Sequence, residues 1–110
     1  MKLKLSLPGI GFNGFLELKK FAYNNNVPAL VLFDDEDEEF MTASVNVVEH
    51  AHRLGKNQTF IKNWTENEGI LEALQAENVI GPVLFTVPCG YTQAQAVEIL
   101  VNIPKEGSDA

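Results

Sequence analysis

The sequence predicts an α+β domain, a mostly antiparallel sheet with one main helix, at about residues 66–77, packed on one face. Short apolar stretches bounded by turn residues recur along the chain, and residues 40–48 alternate apolar with polar. A helix-start pattern precedes apolar residues at helical spacing. With 110 residues and 45% hydrophobic content, the chain is expected to form one domain with a modest core.

The first half of the chain is dominated by strand patterns. In residues 1–12, MKLKLSLPGIGF, Lys4 interrupts the apolar stretch and no small-residue cleavage site follows, which favours a strand over a signal peptide. Residues 15–23 fit a helix or a strand. Residues 27–33 form an apolar run between turn residues and predict a buried strand. Residues 40–48 predict a half-buried strand, with Thr42, Ser44 and Asn46 on its polar face.

Six consecutive acids join the last two of these strands, namely Asp34, Asp35, Glu36, Asp37, Glu38 and Glu39. Two strands joined by a short polar stretch predict a hairpin, so we expect the acids to form its solvated loop. An EF-hand would need a glycine at the sixth position, where a loop starting at Asp35 has Phe40. The alternative that these acids bind divalent ions weakly and without specificity remains.

The helix prediction depends on the sequence Thr65-Glu66-Asn67-Glu68, which matches a capping box. In that motif Thr65 accepts from the backbone of Glu68, and the Glu68 side chain bonds back to the backbone of Thr65. The apolar residues that follow have helical spacing, and the helix is expected to end near Asn78, or at the latest at Gly81-Pro82.

The last third of the chain contains two further expected strands. Residues 83–87 predict a strand, which the sequence Pro88-Cys89-Gly90 should end. Residues 91–101 fit a last strand, although a helix also fits. We expect one globular domain over residues 1–101 and a flexible tail over residues 102–110.

The residues that could take part in catalysis or metal binding do not form a recognisable active-site motif in the sequence. His50 and His52 alone are too few ligands for zinc. The GIGFNG segment at residues 9–14 lacks the spacing of a dinucleotide-binding motif. Cys89 is expected to be a small buried hydrophobe. We therefore predict no enzyme, no catalytic, metal-binding or cofactor-binding residue, and no cofactor.

The charge distribution excludes several classes of partner. The net charge is −7, and removing residues 34–39 would leave nine acids against eight bases. No basic face is visible, so neither direct nucleic-acid binding nor attachment to an anionic membrane is expected. No apolar run approaches the length of a membrane span, and the single cysteine favours the cytoplasm.

Three short motifs resemble those of a family of small uncharacterised proteins carried by bacterial plasmids, phages and related mobile elements. They are Ser44-Val45-Asn46, Phe60-Ile61-Lys62 and Asn67-Glu68-Gly69, within a similarity that spans roughly residues 27–100. Members commonly have a glycine in the turn where this chain has only acids. The resemblance implies a bacterial or phage origin, a cytosolic location and an accessory role, and it assigns no residue a function.

Two functions remain as hypotheses. The first is a non-enzymatic accessory domain that binds a protein partner. The second is an acidic inhibitor that mimics nucleic acid and blocks a host defence protein or another nucleic-acid-binding protein. The candidate partner-binding residues are Trp64 and Tyr91, expected as exposed aromatic anchors, and the six acids of the loop.

Overall fold

The computed structural model describes residues 1–104. Eight strands and one α-helix lie within this part of the chain: β1 (Lys2–Leu7), β2 (Phe12–Ala22), β3 (Pro28–Phe33), β4 (Glu39–Thr42), β5 (Ser44–Val45), β6 (Gln58–Ile61), α1 (Ile70–Ala76), β7 (Phe85–Cys89) and β8 (Thr92–Glu98). Two short 3₁₀ helices, Val48–Arg53 and Thr65–Asn67, lie on either side of β6.

The strands form two sheets in which every pairing is antiparallel. The first sheet has the order β1-β2-β3-β4, and the second has the order β5-β6-β8-β7. The coarser part of the prediction, a mostly antiparallel arrangement of strands with one α-helix in the described residues, is thereby confirmed. The ambiguous segment at residues 15–23 lies largely in β2, where its first residues pair with β1 and the following ones with β3.

The predicted hairpin around the acids is confirmed. Strands β3 and β4 pair with Val31 opposite Thr42 and Phe33 opposite Glu39, with a register shift after Leu32. The loop itself comprises residues 34–38, because Glu39 already belongs to β4.

The single strand predicted over residues 40–48 is divided between the two sheets. Ala43 separates β4 from β5, and its N–H donates to the Leu30 carbonyl at 2.8 Å. Its own carbonyl accepts from the backbone N–H of Lys62 at 2.9 Å. Ser44, expected on a solvent-facing side, is only 3% exposed. The alternation rule fails here because the chain crosses between sheets and both of its sides are covered.

The predicted helix is shorter than expected, and its capping box does not form. Helix α1 covers seven residues rather than residues 66–77, and its N-cap is Gly69 at φ 96°. The Thr65 hydroxyl instead donates to the Trp64 carbonyl and to the Glu66 carboxylate. Asn63 caps the helix, since its Oδ1 accepts from the backbone N–H of Gly69 at 3.1 Å and of Leu71 at 3.0 Å.

The last two strands form a hairpin with a two-residue turn. Cys89 pairs with Thr92 across Gly90 and Tyr91, so residues 92–98 are a strand and the alternative of a helix is excluded. Pro88 does not end the strand, as was expected, but lies inside β7. This is tolerated because β7 is an edge strand of the second sheet.

Buried apolar side chains form two clusters. The larger cluster combines leucines of β1, β2 and β3 with residues of α1 and β8. It includes Ile103, 3% exposed, so the core extends beyond residue 101, where the globular domain was expected to end. The rest of the proposed tail, residues 105–110, lies outside the described residues. The smaller cluster surrounds Phe60 on the opposite side of the second sheet, where the Arg53 guanidinium lies 4.3 Å from the Phe85 ring centroid.

Candidate functional site

The acidic loop is organised by its first residue. The Asp34 side-chain Oδ1 accepts from the backbone N–H groups of Glu36 and Glu38, both at 2.9 Å. The Asp34 N–H donates to the Glu38 carbonyl at 2.9 Å, which closes the loop. Asp37 adopts a left-handed backbone at φ 60°, which aspartate tolerates better than most residues. The loop therefore has a defined shape, although most of its carboxylates face solvent.

A lysine of β2 ties the loop to the first sheet. The Lys19 Nζ lies 2.7 Å from Asp37 Oδ1 and 4.7 Å from the centroid of the Phe33 ring. The loop is thus held against β2, on the side where β3 ends.

The two neighbours of β2 cover different halves of it. Strand β1 pairs with residues 12–17 of β2, whereas β3 pairs with residues 17–22. Within the described part of the chain, residues 12–16 therefore have a strand beside them on one edge only. The other edge faces the space between β2 and the acidic loop.

A groove occupies this space. Phe12, Phe15 and Phe40 supply its apolar surface, and the rings of Phe12 and Phe40 pack with centroids 4.9 Å apart. Phe15 is 60% exposed. The groove is also lined by Asp34, Asp35, Asp37 and Glu17, together with Lys2 and Lys19. Acidic groups outnumber basic ones along its walls, and the aromatic surface lies between them.

The chain terminus contributes to the charge of this groove. The N-terminal ammonium donates to the Glu17 carboxylate, and this hydrogen bond holds the pKa of Glu17 below its usual value. Glu17 is therefore ionised across the physiological range. The solvent-exposed negative charge of the groove lies at the acidic loop, at Asp35.

The predicted partner-binding residues do not all come together. Of the six acids, Asp34, Asp35 and Asp37 line the groove, whereas Glu36, Glu38 and Glu39 do not, and neither do Trp64 and Tyr91. Trp64 is half-buried against the smaller cluster, so it does not present the exposed aromatic ring that was expected. Tyr91 is fully exposed at the turn between β7 and β8. The sequence analysis did not identify the groove aromatics Phe12, Phe15 and Phe40, although alternation along β2 places Phe15 opposite the buried Leu16.

A second groove lies between β4, which follows the acidic loop, and the segment that precedes α1. Glu39, Lys62 and Glu66 line it, together with Tyr23 and Asn67. The Lys62 Nζ lies 2.7 Å from Glu66 Oε1, and its hydrogen bond, with that of the Thr65 hydroxyl, lowers the pKa of Glu66 to about 2. Acids from two distant parts of the sequence therefore lie on one side of the molecule.

The remaining candidates for chemistry lie elsewhere. His50 and His52 belong to the 3₁₀ helix Val48–Arg53, and Cys89 is half-buried beside the smaller cluster. Across residues 1–104 no three or more His, Cys, Asp or Glu side chains come together as metal ligands could. In the same residues, no helix has both the length and the apolar character needed to cross a bilayer.

The geometry therefore brings the acidic loop and three aromatic residues together at one groove. Comparison with protein-family models, with curated proteins and with solved structures finds no match to this chain.

Proposed function

We propose that this chain is a non-enzymatic accessory domain of a bacterial or phage mobile element, and that it binds a protein partner in the cytoplasm. The observation that supports this proposal is Phe15, which is 60% exposed in a groove with Phe12 and Phe40 beside the acidic loop. Aromatic side chains of this kind are typical anchors of protein interfaces, with charged groups forming the rim.

Phe15 contributes little to the stability of the isolated domain. Its neighbour in β2, Leu16, points toward the opposite side, where it is buried. In this proposal α1 packs on that buried side, since Leu71 and Leu74 belong to the same cluster as Leu16. The side that carries Phe15 is then left for a partner. Covering it would stabilise a complex by about 25 cal/mol for each Å² of apolar surface removed from water.

The second candidate is an acidic inhibitor that mimics nucleic acid. It is favoured by the shared groove of Glu39 and Glu66, which extends the acidic surface beyond the loop. Two ion pairs argue against this inhibitor function, because Lys19 and Lys62 each neutralise an acid of this surface. A mimic of duplex DNA needs about one charge per 1.7 Å along an extended face. We therefore prefer the protein-binding module, in which the aromatic groove provides the affinity.

The test is affinity capture from a lysate of the native host at low and high salt, followed by affinity measurements with the purified captured protein. Phe15→Ala should weaken binding by at least about tenfold. Ile10→Ala is the matched control, because Ile10 is exposed in the β1–β2 turn and does not line the groove. A partner that is captured only at low salt and released by added nucleic acid would instead establish the inhibitor function.

A further inference from the structure

We infer that the partner binds as an added strand: an extended segment carrying Lys or Arg pairs with the free edge of β2 at residues 12–16, between β2 and the acidic loop. This inference rests on the proposed function and gives it a binding mode and a partner chemistry. The backbone, the neighbouring edges and the charge of the groove each support it.

The backbone of β2 is prepared for pairing on its open side. Residues 12–16 are already extended and are held in place by β1, while β3 starts to pair only at residue 17. In a strand, alternate residues direct their N–H and C=O groups to either side, so part of this segment presents its backbone groups to the groove. Five residues offer roughly 16 Å of strand edge, enough for a short extended peptide.

Two of the outer edge strands, β7 and β1, carry features that discourage pairing. Strand β7, at one end of the second sheet, contains Pro88, which cannot donate a hydrogen bond. Strand β1, at one end of the first sheet, carries Lys2 and Lys4. Lysine and proline are common protections against edge-to-edge association. The open segment of β2, Phe-Asn-Gly-Phe-Leu, contains neither.

The walls of the groove specify the side chains of the incoming strand. On the loop side the groove offers Asp34, Asp35 and Asp37, and on the sheet side it offers the exposed ring of Phe15. Lys19 neutralises one of these acids, Asp37, and lies 4.7 Å from the centroid of the Phe33 ring, so the exposed Asp35 is the acid best placed to attract a basic side chain. Phe15 and Lys19, which binds Asp37, share one face of β2, whereas Phe12 and Phe40 pack against the larger cluster on the other face. An incoming strand that alternates basic and apolar residues would direct the basic ones toward the face of the acids and Phe15, and the apolar ones toward Phe12 and Phe40.

The probes for this inference are three end-capped peptides about ten residues long. One alternates Lys and Val, the second is the same peptide with N-methyl groups on alternate residues, and the third has Glu in place of Lys. Binding to the full chain is measured by fluorescence anisotropy and mapped by backbone amide NMR shifts. N-methylation preserves the charge but removes the donors that strand pairing requires.

The Lys/Val peptide is expected to shift the amides of residues 12–16 and of the acidic loop. The N-methylated and Glu peptides should each bind at least about tenfold more weakly, as should the Lys/Val peptide to Phe15→Ala or Asp35→Asn. Ile10→Ala should bind like the parent chain. The Phe15→Ala spectrum should retain the dispersion of the parent, which shows that the variant is folded.

Several results would overturn the inference. They are binding of the N-methylated peptide as tight as that of the Lys/Val peptide, amide shifts centred outside β2 and the loop, or a dimer of this chain that pairs through β2 and excludes the peptide.

The proposed function is tested by a separate outcome. If the captured partner binds with an affinity that Tyr91→Ala lowers and Phe15→Ala does not, the chain remains a protein-binding module and only the groove is excluded.

Discussion

The Ser44 hydroxyl oxygen accepts the backbone N–H of Leu30 at 2.9 Å, at the point where the chain passes from the first sheet to the second. A side chain thus takes the place of a backbone carbonyl in the pairing of β3. The same oxygen lies 2.9 Å from the Tyr23 hydroxyl. Ser44 therefore satisfies a buried donor that has no strand partner there.

Ser44→Ala should lower the free energy of unfolding by about 1–3 kcal/mol, because it leaves the buried N–H of Leu30 without an acceptor. Urea denaturation measures this loss. Ser6→Ala is the matched control, since Ser6 is exposed on β1 and should change stability by less than about 0.5 kcal/mol. Equal effects of the two substitutions would contradict the assigned role of Ser44.

Asp34 is expected to be the one acid of the loop that matters for stability. Asp34→Ala removes the acceptor of two backbone N–H groups and should cost about 1 kcal/mol. Replacing Asp35, Glu36 and Glu38 with Asn or Gln should leave the melting temperature nearly unchanged or slightly raised, because repulsion among the acids falls. Thermal unfolding distinguishes the two variants. A large loss of stability in the second variant, together with stabilisation of the parent chain by calcium, would show that the loop binds an ion.

Asn63, rather than Thr65, is expected to stabilise the start of α1. Asn63→Ala should cost about 1 kcal/mol, since it removes the acceptor for the N–H groups of Gly69 and Leu71. Thr65→Ala should change stability by less than about 0.5 kcal/mol, because its hydroxyl does not cap the helix. Chemical denaturation of both variants measures these losses. A larger loss for Thr65→Ala than for Asn63→Ala would support the capping box instead.

The ion pair between Lys62 and Glu66 predicts a measurable acid titration. The pKa of Glu66 is lowered from 4.5 to about 2 in the folded chain, so its contribution to stability is present above pH 4.5 and is lost as the pH falls toward 2. Because Glu66 is exposed, this contribution is small. Lys62→Met should raise the pKa of Glu66, as followed by carboxyl NMR shifts. Lys56→Met, a surface control, should not, and an unchanged pKa in Lys62→Met would show that Lys62 is not the cause.

The strand pattern of this chain is largely predictable from sequence, whereas several of its tertiary contacts are not. Alternation and turn residues are local properties, so they locate the acidic hairpin correctly. The capping box fails because Thr65 adopts φ 54° and Gly69 packs against Pro8, whose Cδ would lie 2.9 Å from an added Cβ. That contact joins distant parts of the chain and leaves no trace in the local sequence.

The candidate groove could not be located from the sequence for a related reason. It exists because β1 and β3 cover different halves of β2, and the lengths of paired ladders depend on where each partner strand ends. The same holds for Ser44, whose polar character indicates solvent until the crossing between sheets is known. Local periodicity identifies which residues share a face of a strand, but it does not identify what covers that face.

Ala43 has a consequence for how the molecule opens. Its N–H is bonded to Leu30 in the first sheet, and its carbonyl is bonded to Lys62 beside the second, so one residue joins both. Neither sheet can separate here without disturbing the other, so we expect the two sheets to unfold as one cooperative unit. In native-state hydrogen exchange, the amides of Ala43 and Lys62 should share one opening free energy, equal to that of global unfolding, whereas those of the Gly90–Tyr91 turn should exchange through local fluctuations.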